Sequence, residues 1–447
     1  MNLNNNSCDM EHLDKGHNKA LLFFTREQVD KTSRYVVAIL MTSILCVFIN
    51  SSLQTITGPI MAICFTYLYL NGYKAFVTSI IIVANDALGC IFFGSISFPY
   101  LLLLFLGLAL LSNKHKIQIR ISQMIAAVIL VIMLVTLYHY SIIGIKNIIY
   151  TLTFICAGAQ CVSETKEREL FFKGIAITVF LISLHTCVTG GVEFYELNEY
   201  SKAFLRKGIL GVGIGDSNFS SLLLTIGIAI TLFDRNFKWY LKTIMIACSV
   251  FSMTVTLSIS GLIGFLLVLG CFVFIKRDSI PKKIWNALII IFFILIIINV
   301  YMAMPDSMRN ETIDAYIARM QEKFFLLNLG NMAEFTSSRS ELLSKALQYI
   351  FSEQGIMGLL FGFNSLFAGN GELVPHNTYV DLLLQIGLIG TAASLAYILR
   401  GVIIAWRSQQ RSRTDVMVKI VFLYYFFNLS LFHGSMFALA YIVLVIL

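Results

Sequence analysis

Long apolar runs separated by short polar segments repeat along this chain from Tyr35 to Leu447. A helix needs roughly 17–25 mostly apolar residues to cross a bilayer, so the pattern predicts about 12–14 transmembrane helices. The predicted spans are 35–51, 53–70, 73–93, 96–112, 118–138, 142–161, 171–189, 217–233, 240–258, 261–275, 284–304, 378–406, 415–432 and 434–447. We therefore expect an all-α fold, a polytopic membrane bundle in which Gly387 and Gly390 interrupt the overlong segment 378–406.

Two long polar interruptions divide this pattern. The predicted divisions are a cytoplasmic tail 1–34, an N-terminal transmembrane bundle 35–189, a first outer loop 190–216, the helices 217–304, a large outer loop 305–377 and the C-terminal helices 378–447. The first apolar run follows 34 mostly polar residues, so no signal peptide is expected and the first span is retained.

Composition excludes a soluble globular domain, because 57% of the residues are hydrophobic, only 13% are charged and the mean hydropathy is +0.80. Most Lys and Arg residues fall in alternate short loops, which predicts cytoplasmic termini and outer loops 190–216 and 305–377. The net charge of +8 follows from that topology and does not indicate nucleic-acid binding. Eight of nine cysteines lie in predicted spans, so neither a disulfide framework nor a cysteine metal site is expected.

The large outer loop is predicted to be folded. Ser338 and Glu341 fit a capping box, which makes Arg339 the first residue of an amphipathic helix against the outer membrane face. Its apolar stripe is predicted to comprise Leu343, Leu347, Ile350 and Phe351. An earlier stretch, 310–325, mixes apolar and charged residues in a similar way, so the loop resembles a lid more than a linker.

Two segments offer candidate chemistry. His376 and Asn377 end the large loop and begin an apolar helix, which places a titratable imidazole at a membrane surface. A histidine there is either a catalytic base or an interfacial residue that caps the next helix. The first outer loop ends in Arg206 and Lys207 followed by alternating glycines up to Asp216 and Asn218, a segment able to expose backbone N–H groups to phosphate or simply an irregular entry into the next span.

Five segments and one arginine resemble, in chain order, the motifs of the O-antigen polymerase and ligase superfamily. They are Arg206–Asn218, Ser258–Leu262, Arg339, Phe361–Asn364, Pro375–Tyr379 and Ile386–Gly390. The resemblance covers about residues 200–405. The pair formed by His-Asn and Gly-Leu-Ile-Gly is its most specific part. Ile259 departs from the pattern, because many relatives have an arginine at that turn.

The resemblance implies a GT-C-like fold in a bacterial inner membrane and glycosyl transfer from undecaprenyl diphosphate at the periplasmic face, without a metal or other cofactor. In that chemistry Arg206, Arg339 and Lys207 bind the diphosphate, since guanidinium groups stay charged and fork onto phosphate oxygens. His376 accepts the proton of the acceptor hydroxyl, and the supporting residues are Asn377, Asp216 and Asn218. The implied partners are lipid-linked oligosaccharides, membrane lipid, a chain-length regulator and a flippase, and no nucleic acid.

Three functions fit the pattern. The first is a polymerase that joins lipid-linked repeat units into O-antigen or capsule-type polysaccharide, and the second is a ligase that moves the finished glycan onto lipid A core. The third is a transporter of lipid-linked oligosaccharide, for which repeated halves and midplane charges are typical. Asp86, in the middle of the predicted span 73–93, is the one clear midplane charge and a further functional candidate.

Overall fold

The structure of this protein is a computed structural model. It describes residues 31–84, 90–92, 96–111, 153, 165–189, 192–193, 207–208, 217–234, 237–256, 258–275, 281, 284–285, 301–302, 305, 309, 311–330, 339–352, 356, 359–360, 379–380, 383–384, 387–389, 391–392 and 395. These residues are mostly helical, which confirms the helical class expected from the apolar pattern.

The described elements follow one another as helices with two short strand pairs. In chain order they are α1 Lys31–Ile49, α2 Gln54–Leu70, α3 Lys74–Val83, β1 Cys90–Phe92, β2 Ile96–Ser97, α4 Phe98–Leu111, α5 Thr165–Thr189, β3 Val192–Glu193, β4 Lys207–Gly208, α6 Ser217–Phe233, α7 Trp239–Val255, α8 Ile259–Ile275, α9 Glu311–Asn328 and α10 Arg339–Ser352. A 3₁₀ turn, Ser51–Leu53, joins α1 to α2. Gly72 makes the tight turn from α2 to α3 with φ 89°, a backbone conformation that glycine adopts without strain.

Helices α3 and α5 run parallel and lie in close contact. A Glu167 carboxylate oxygen accepts a hydrogen bond from the backbone N–H of Ala75 (3.3 Å), which satisfies one of the unpaired donors at the start of α3. One to two turns further along, the backbone of Gly174 lies against Ser79 and the carbonyl of Phe76, where a Cβ would clash. Glycine is therefore required where the two helices cross. Because both contacts advance along the chain in the same order, the two helices run in the same direction.

Helix α5 runs antiparallel to α6. The backbone of Gly227 in α6 lies against the side chain of Val179, with only 2.5 Å between a built Cβ and Val179 Cγ1. Nearer the start of α5, Lys173 lies within electrostatic range of Asp234, which directly follows α6. The first turns of α5 therefore meet the last turn of α6.

Helices α6 and α8 run parallel. Gly261 at the start of α8 lies against Ser221 near the start of α6. At the other end, the rings of Phe233 and Phe272 meet edge to face with centroids 5.5 Å apart. Helix α7 connects the two as the middle member of an antiparallel series.

These directions place the lysine-bearing first turns of several helices at one end of the bundle. The starts of α3, α5 and α7 lie there, and so does the end of α6. We call this end, defined by Lys74, Lys173, Asp234 and Lys242, the basic end. The opposite end, defined by the start of α6 and by Ser258 and Gly261, we call the hydroxyl end. The sequence assigned all these cations to one side of a membrane, and the described helices bring them to one end of the bundle.

Several predicted spans match the helices, and others need correction. The predicted span 217–233 coincides with α6, and 240–258 corresponds to α7, although α7 ends at Val255. The predicted helix 73–93 is wrong in its second half, because α3 ends at Val83 and residues 90–92 form a strand that pairs antiparallel with β2. Asp86 lies outside the described residues, and the helix expected to hold it near its middle has already ended three residues before it.

Among the residues that the structure describes, two helices are long and apolar enough to cross a membrane, Thr32–Ile49 and Lys166–Thr189. Four shorter apolar helices of 10–17 residues lie at Lys74–Val83, Ser220–Phe233, Trp239–Val255 and Gly261–Val273. The predicted spans 118–138, 415–432 and 434–447 lie outside the described residues, as does nearly all of 142–161 and 284–304. The number of spans therefore stays a prediction.

The large loop predicted at 305–377 contains two helices, as expected. Helix α9 covers the stretch predicted at 310–325, and α10 begins at Arg339, the residue chosen from the capping pattern. Leu343, Leu347 and Ile350 share one apolar cluster, whereas Phe351 is 72% exposed. Gly387 has φ 63°, a left-handed conformation that glycine adopts without strain.

Candidate functional site

The hydroxyl end brings together two of the segments that carry the family resemblance. A Cβ built on Gly261 would lie 2.8 Å from Ser221 Oγ and 3.0 Å from Ser221 Cβ, so the backbone of α8 approaches α6 as closely as a glycine allows. Ser221 is itself in the second turn of the helix that follows the glycine-rich segment. The first two turns of α6 and the start of α8 are therefore neighbours in space, although about 40 residues separate them in the chain.

Ser258 holds the start of α8. Its Oγ accepts a hydrogen bond from the backbone N–H of Gly261 (3.2 Å), and its carbonyl accepts one from Leu262 N–H (3.3 Å). This is the arrangement of an N-cap serine, which satisfies a donor that the helix leaves unpaired. Ser258 is 2% exposed. Ile259, the residue that departs from the family pattern, is the first residue of α8, so the turn positions its backbone through a neutral hydroxyl.

The first outer loop is closed at its base by a short strand pair. Strands β3 and β4 pair antiparallel, with Glu193 opposite Lys207 and Val192 opposite Gly208. Strand β3 begins three residues after α5, and β4 ends nine residues before α6. The pair therefore anchors Lys207 beside the end of α5, and its register places an acidic residue opposite this predicted diphosphate ligand.

Helix α10, which begins at Arg339, packs against the segment that follows His376. Ala346 and Ile350 on α10 form a buried cluster with Val380 and Leu384. The neighbouring Tyr379 is half-buried and packs against the main core. The residues directly after His376 and Asn377 therefore connect the Arg339 helix to the bundle.

The predicted site residues are thus placed in part. Arg339 is the first residue of α10, Lys207 lies in β4 and Asn218 is the second residue of α6. The other four lie outside the described residues, namely His376, Arg206, Asn377 and Asp216. The roles of all seven stay predictions, while the elements that carry or directly follow them supply the contacts above.

A buried group of charges at the basic end was missed from the sequence. Lys173 is 0% exposed and Asp234 is 9% exposed, and Glu169 also lies within electrostatic range of Lys173. Lys242 lies within range of the same Asp234 carboxylate, and its Nζ donates a hydrogen bond to the carbonyl of Leu232 (3.2 Å). Lys173 lies in the packed part of α5, which begins eight residues earlier at Thr165.

A signal for this group was present in the sequence. Lys173 is surrounded by apolar residues in Phe171–Val179, and Asp234 follows the apolar α6 directly. A charge in such a setting is seldom buried without an opposite charge. Two such residues of opposite sign at predicted neighbouring helix ends indicate a pair.

Hydroxyl groups continue between α5 and α7 toward the hydroxyl end. Ser183 Oγ lies 3.3 Å from Ser249 Oγ, and Ser252 Oγ donates to the carbonyls of Ser183 (3.4 Å) and Cys248 (2.9 Å). His185 is 7% exposed and packs edge to face with Phe48, and none of the described residues forms a hydrogen bond with its Nδ1.

Comparison with known proteins adds no family assignment: no family model, curated protein or solved structure matches the chain. No group of three or more His, Cys, Asp and Glu side chains suited to a metal ion occurs among the residues described above. The functional conclusions that follow therefore depend on the motifs and on the contacts between the elements that carry them.

Proposed function

We propose that this chain is a multi-spanning bacterial inner-membrane glycosyltransferase, with a GT-C-like helical bundle, that polymerises undecaprenyl-diphosphate-linked oligosaccharide repeat units at the periplasmic face. The proposal rests first on one contact, the packing of the Arg339 helix against the segment that follows His376. The contact joins Ala346 and Ile350 to Val380 and Leu384. It links the helix that begins at Arg339, the proposed phosphate ligand, to the segment that follows His376, the proposed base. Between these two residues lie 36 others in the sequence.

The second support is the hydroxyl end. There the start of α6 and the turn at Ser258 meet through Ser221 and Gly261. Helix starts present unpaired backbone N–H groups and a favourable dipole to anions. Two adjacent helix starts, one preceded by a glycine-rich segment with Arg206 and Lys207, suit a diphosphate better than an uncharged substrate.

The reaction is a direct glycosyl transfer. The acceptor hydroxyl oxygen bonds to the anomeric carbon while the bond from that carbon to the diphosphate oxygen breaks, and the electron pair leaves with the diphosphate. Arg206, Arg339 and Lys207 stabilise the departing charge. His376 takes the hydroxyl proton, and Asn377 orients the imidazole. The proposed partners are lipid-linked oligosaccharides, membrane lipid, a chain-length regulator and a flippase.

The decisive experiment supplies purified protein in nanodiscs with undecaprenyl-diphosphate-linked repeat units and separates the products by length. We expect a ladder of glycans from wild type. His376→Ala is expected to lower the rate by about 10²-fold or more, because general base catalysis contributes typically 10²–10⁴-fold. His115→Ala, in a predicted cytoplasmic loop, is the matched histidine control and should leave the ladder unchanged.

Each other outcome assigns a different function. A ladder that persists at wild-type rate in folded His376→Ala protein would remove His376 from the reaction. Product formed only after addition of lipid A core would make the chain a ligase. Transfer in neither assay, combined with movement of labelled lipid-linked oligosaccharide across the bilayer, would make it a transporter.

A further inference from the structure

Two cysteines from different helices meet between α5 and α7. The thiol of Cys187, near the end of α5, donates to the backbone carbonyl of Cys248 in the middle of α7, with 3.9 Å between the sulfur and the oxygen. The two thiols also form a side-chain hydrogen bond with each other. Both are free thiols, of which Cys187 is exposed and Cys248 is partly buried. Because 60 residues lie between them in the chain, no spacing motif indicates this contact.

Helices α5 and α7 approach each other closely at this point. Ser183 Oγ lies 3.3 Å from Ser249 Oγ, and Ser252 Oγ donates to the carbonyl of Ser183 across the same interface. Small side chains of this kind let two helix backbones come near one another. A disulfide needs Cα atoms about 4.4–6.8 Å apart, a separation that close helix crossings provide. The sulfur of Cys187 already reaches the backbone of Cys248, so the bond requires rotation of two side chains rather than movement of a helix.

The end of α5 leads directly into the first outer loop. Cys187 lies two residues before Thr189, where α5 ends, and five residues before Val192, where β3 begins. Strand β3 pairs with the strand that carries Lys207. Under the predicted topology this loop lies on the outer side of a bacterial inner membrane, where disulfides form and persist. An exposed thiol at this position is therefore within reach of an oxidant outside the membrane.

We propose that Cys187 and Cys248 form a reversible disulfide that fastens the outer end of α5 to α7. The oxidant is a thiol oxidase that carries a disulfide outside the membrane. The Cys187 thiolate attacks one sulfur of that disulfide and releases the other as a thiolate, and the Cys248 thiolate then attacks the Cys187 sulfur and releases the first. The two protons and two electrons lost by the cysteines pass to the oxidase, which leaves as a dithiol.

The bond closes a loop of the chain that contains β3, β4 and α6. Closing a loop restricts the unfolded chain, so the oxidised protein should be the more stable form. Thiolates form less readily among apolar side chains than in water, so we expect oxidation over minutes to hours. The inference uses the predicted topology and does not depend on the proposed glycosyl transfer.

The test applies oxidised glutathione to right-side-out membrane vesicles that contain the full chain, because this charged disulfide does not cross membranes. Remaining thiols are then alkylated, and a non-reducing digest is analysed by mass spectrometry. We expect a linked pair of peptides that contain Cys187 and Cys248 in most molecules, and its loss after treatment with dithiothreitol. Cys46→Ser removes a partly buried cysteine of α1, so it is the matched control and should leave the link unchanged.

Single variants of the pair test the order of the two steps. Cys248→Ser should trap Cys187 as a mixed disulfide with glutathione, whereas Cys187→Ser should leave Cys248 reduced. Thermal unfolding in nanodiscs should place the midpoint of oxidised wild type about 2–5 °C above that of reduced wild type, with no such difference in either variant. Cys187→Ala and Cys248→Ala serve if a serine lowers the midpoint of the reduced protein.

The proposal is overturned if Cys187 links to a different cysteine, or if both thiols stay reduced in the folded protein under conditions that link them in the unfolded chain. A link that forms only in inverted vesicles contradicts the outer oxidant. A link without a shift in the unfolding midpoint contradicts the fastening of α5 to α7. These readouts need no turnover, so a protein that forms the link but makes no polymer contradicts the proposed function alone.

Discussion

The two ends of the unit formed by α5, α6, α7 and α8 are held together by different interactions. At the basic end, Asp234 lies within electrostatic range of two lysines that come from different helices, Lys173 of α5 and Lys242 of α7. At the hydroxyl end, Ser258 caps a helix and Gly261 admits Ser221 at close range. One end thus depends on buried charge, and the other on small size and neutral hydrogen bonds.

The difference suits the proposed function. Hydroxyls and backbone N–H groups at a helix start attract phosphate. The charges that fasten the helices are concentrated at the distant end, where they cannot compete for the substrate. Stability and binding are therefore assigned to opposite ends of the same helices.

The largest expected effect comes from breaking the charge group. Asp234→Asn removes one of the two carboxylates within electrostatic range of the buried Lys173, so the loss should stay below the about 3–5 kcal/mol of a fully broken buried pair. We expect a correspondingly large fall in the unfolding midpoint, measured by denaturant or thermal unfolding in detergent. The free energy of unfolding reports this effect even if the variant polymerises no sugar.

A double variant separates charge from packing. Lys173→Met with Asp234→Asn removes both charges, so it should be more stable than Asp234→Asn alone, since interacting residues are not additive. Equal stability of wild type and Asp234→Asn, or strictly additive losses, would show that Asp234 and Lys173 do not stabilise one another.

The second effect tests the close approach at the hydroxyl end. Gly261→Val places a side chain on a Cβ position only 2.8 Å from Ser221 Oγ, and overpacking of this kind costs about 1–3 kcal/mol. Gly270→Val is the matched control, because Gly270 lies on the same helix and no atom of the described residues comes within 4 Å of its Cβ position. The two unfolding midpoints should differ, with Gly261→Val lower. If Gly270→Val is equally harmful, the loss reflects valine in a helix and the contact with Ser221 is unimportant.

The smallest effect concerns the cap of α8. Ser258→Ala removes the oxygen that accepts from Gly261 N–H, and loss of an N-cap costs typically about 1 kcal/mol. Ser258→Thr keeps the hydroxyl and should be close to wild type. Chemical unfolding of the three proteins side by side resolves this difference, and an alanine variant as stable as the threonine variant would argue against the cap.

Local signals in the sequence were sufficient for much of the fold. The apolar run that became α6 was predicted to the residue, because its polar flanks are abrupt. The capping pattern placed the start of α10 at Arg339. The predicted helix 73–93 failed beyond Val83, because polar residues Asn85 and Asp86 interrupt the apolar run and the short apolar stretch after them is as compatible with a strand as with a helix.

The candidate site was predictable as a set of residues but not as a set of neighbours. Arg339 and His376 were selected by their local patterns, yet nothing in either pattern indicates that Ile350 contacts Val380. The contact between Gly261 and Ser221 could not be predicted either, since a glycine near a helix start can pack against many different partners. Long-range contacts of this kind are chosen by the shapes of several helices at once.

By itself, the sequence determined the helical class, the lengths of most described helices and the grouping of cations at one end, because hydrophobic periodicity, caps and charge act over a few residues. Only the tertiary structure decided that Lys173 is buried beside Asp234, that Lys207 stands opposite Glu193, and that α10 packs on the segment after His376. Each of these requires a helix direction and register, which depend on packing across the whole bundle. The candidate residues could be selected from local sequence patterns, whereas their positions relative to one another depend on that packing.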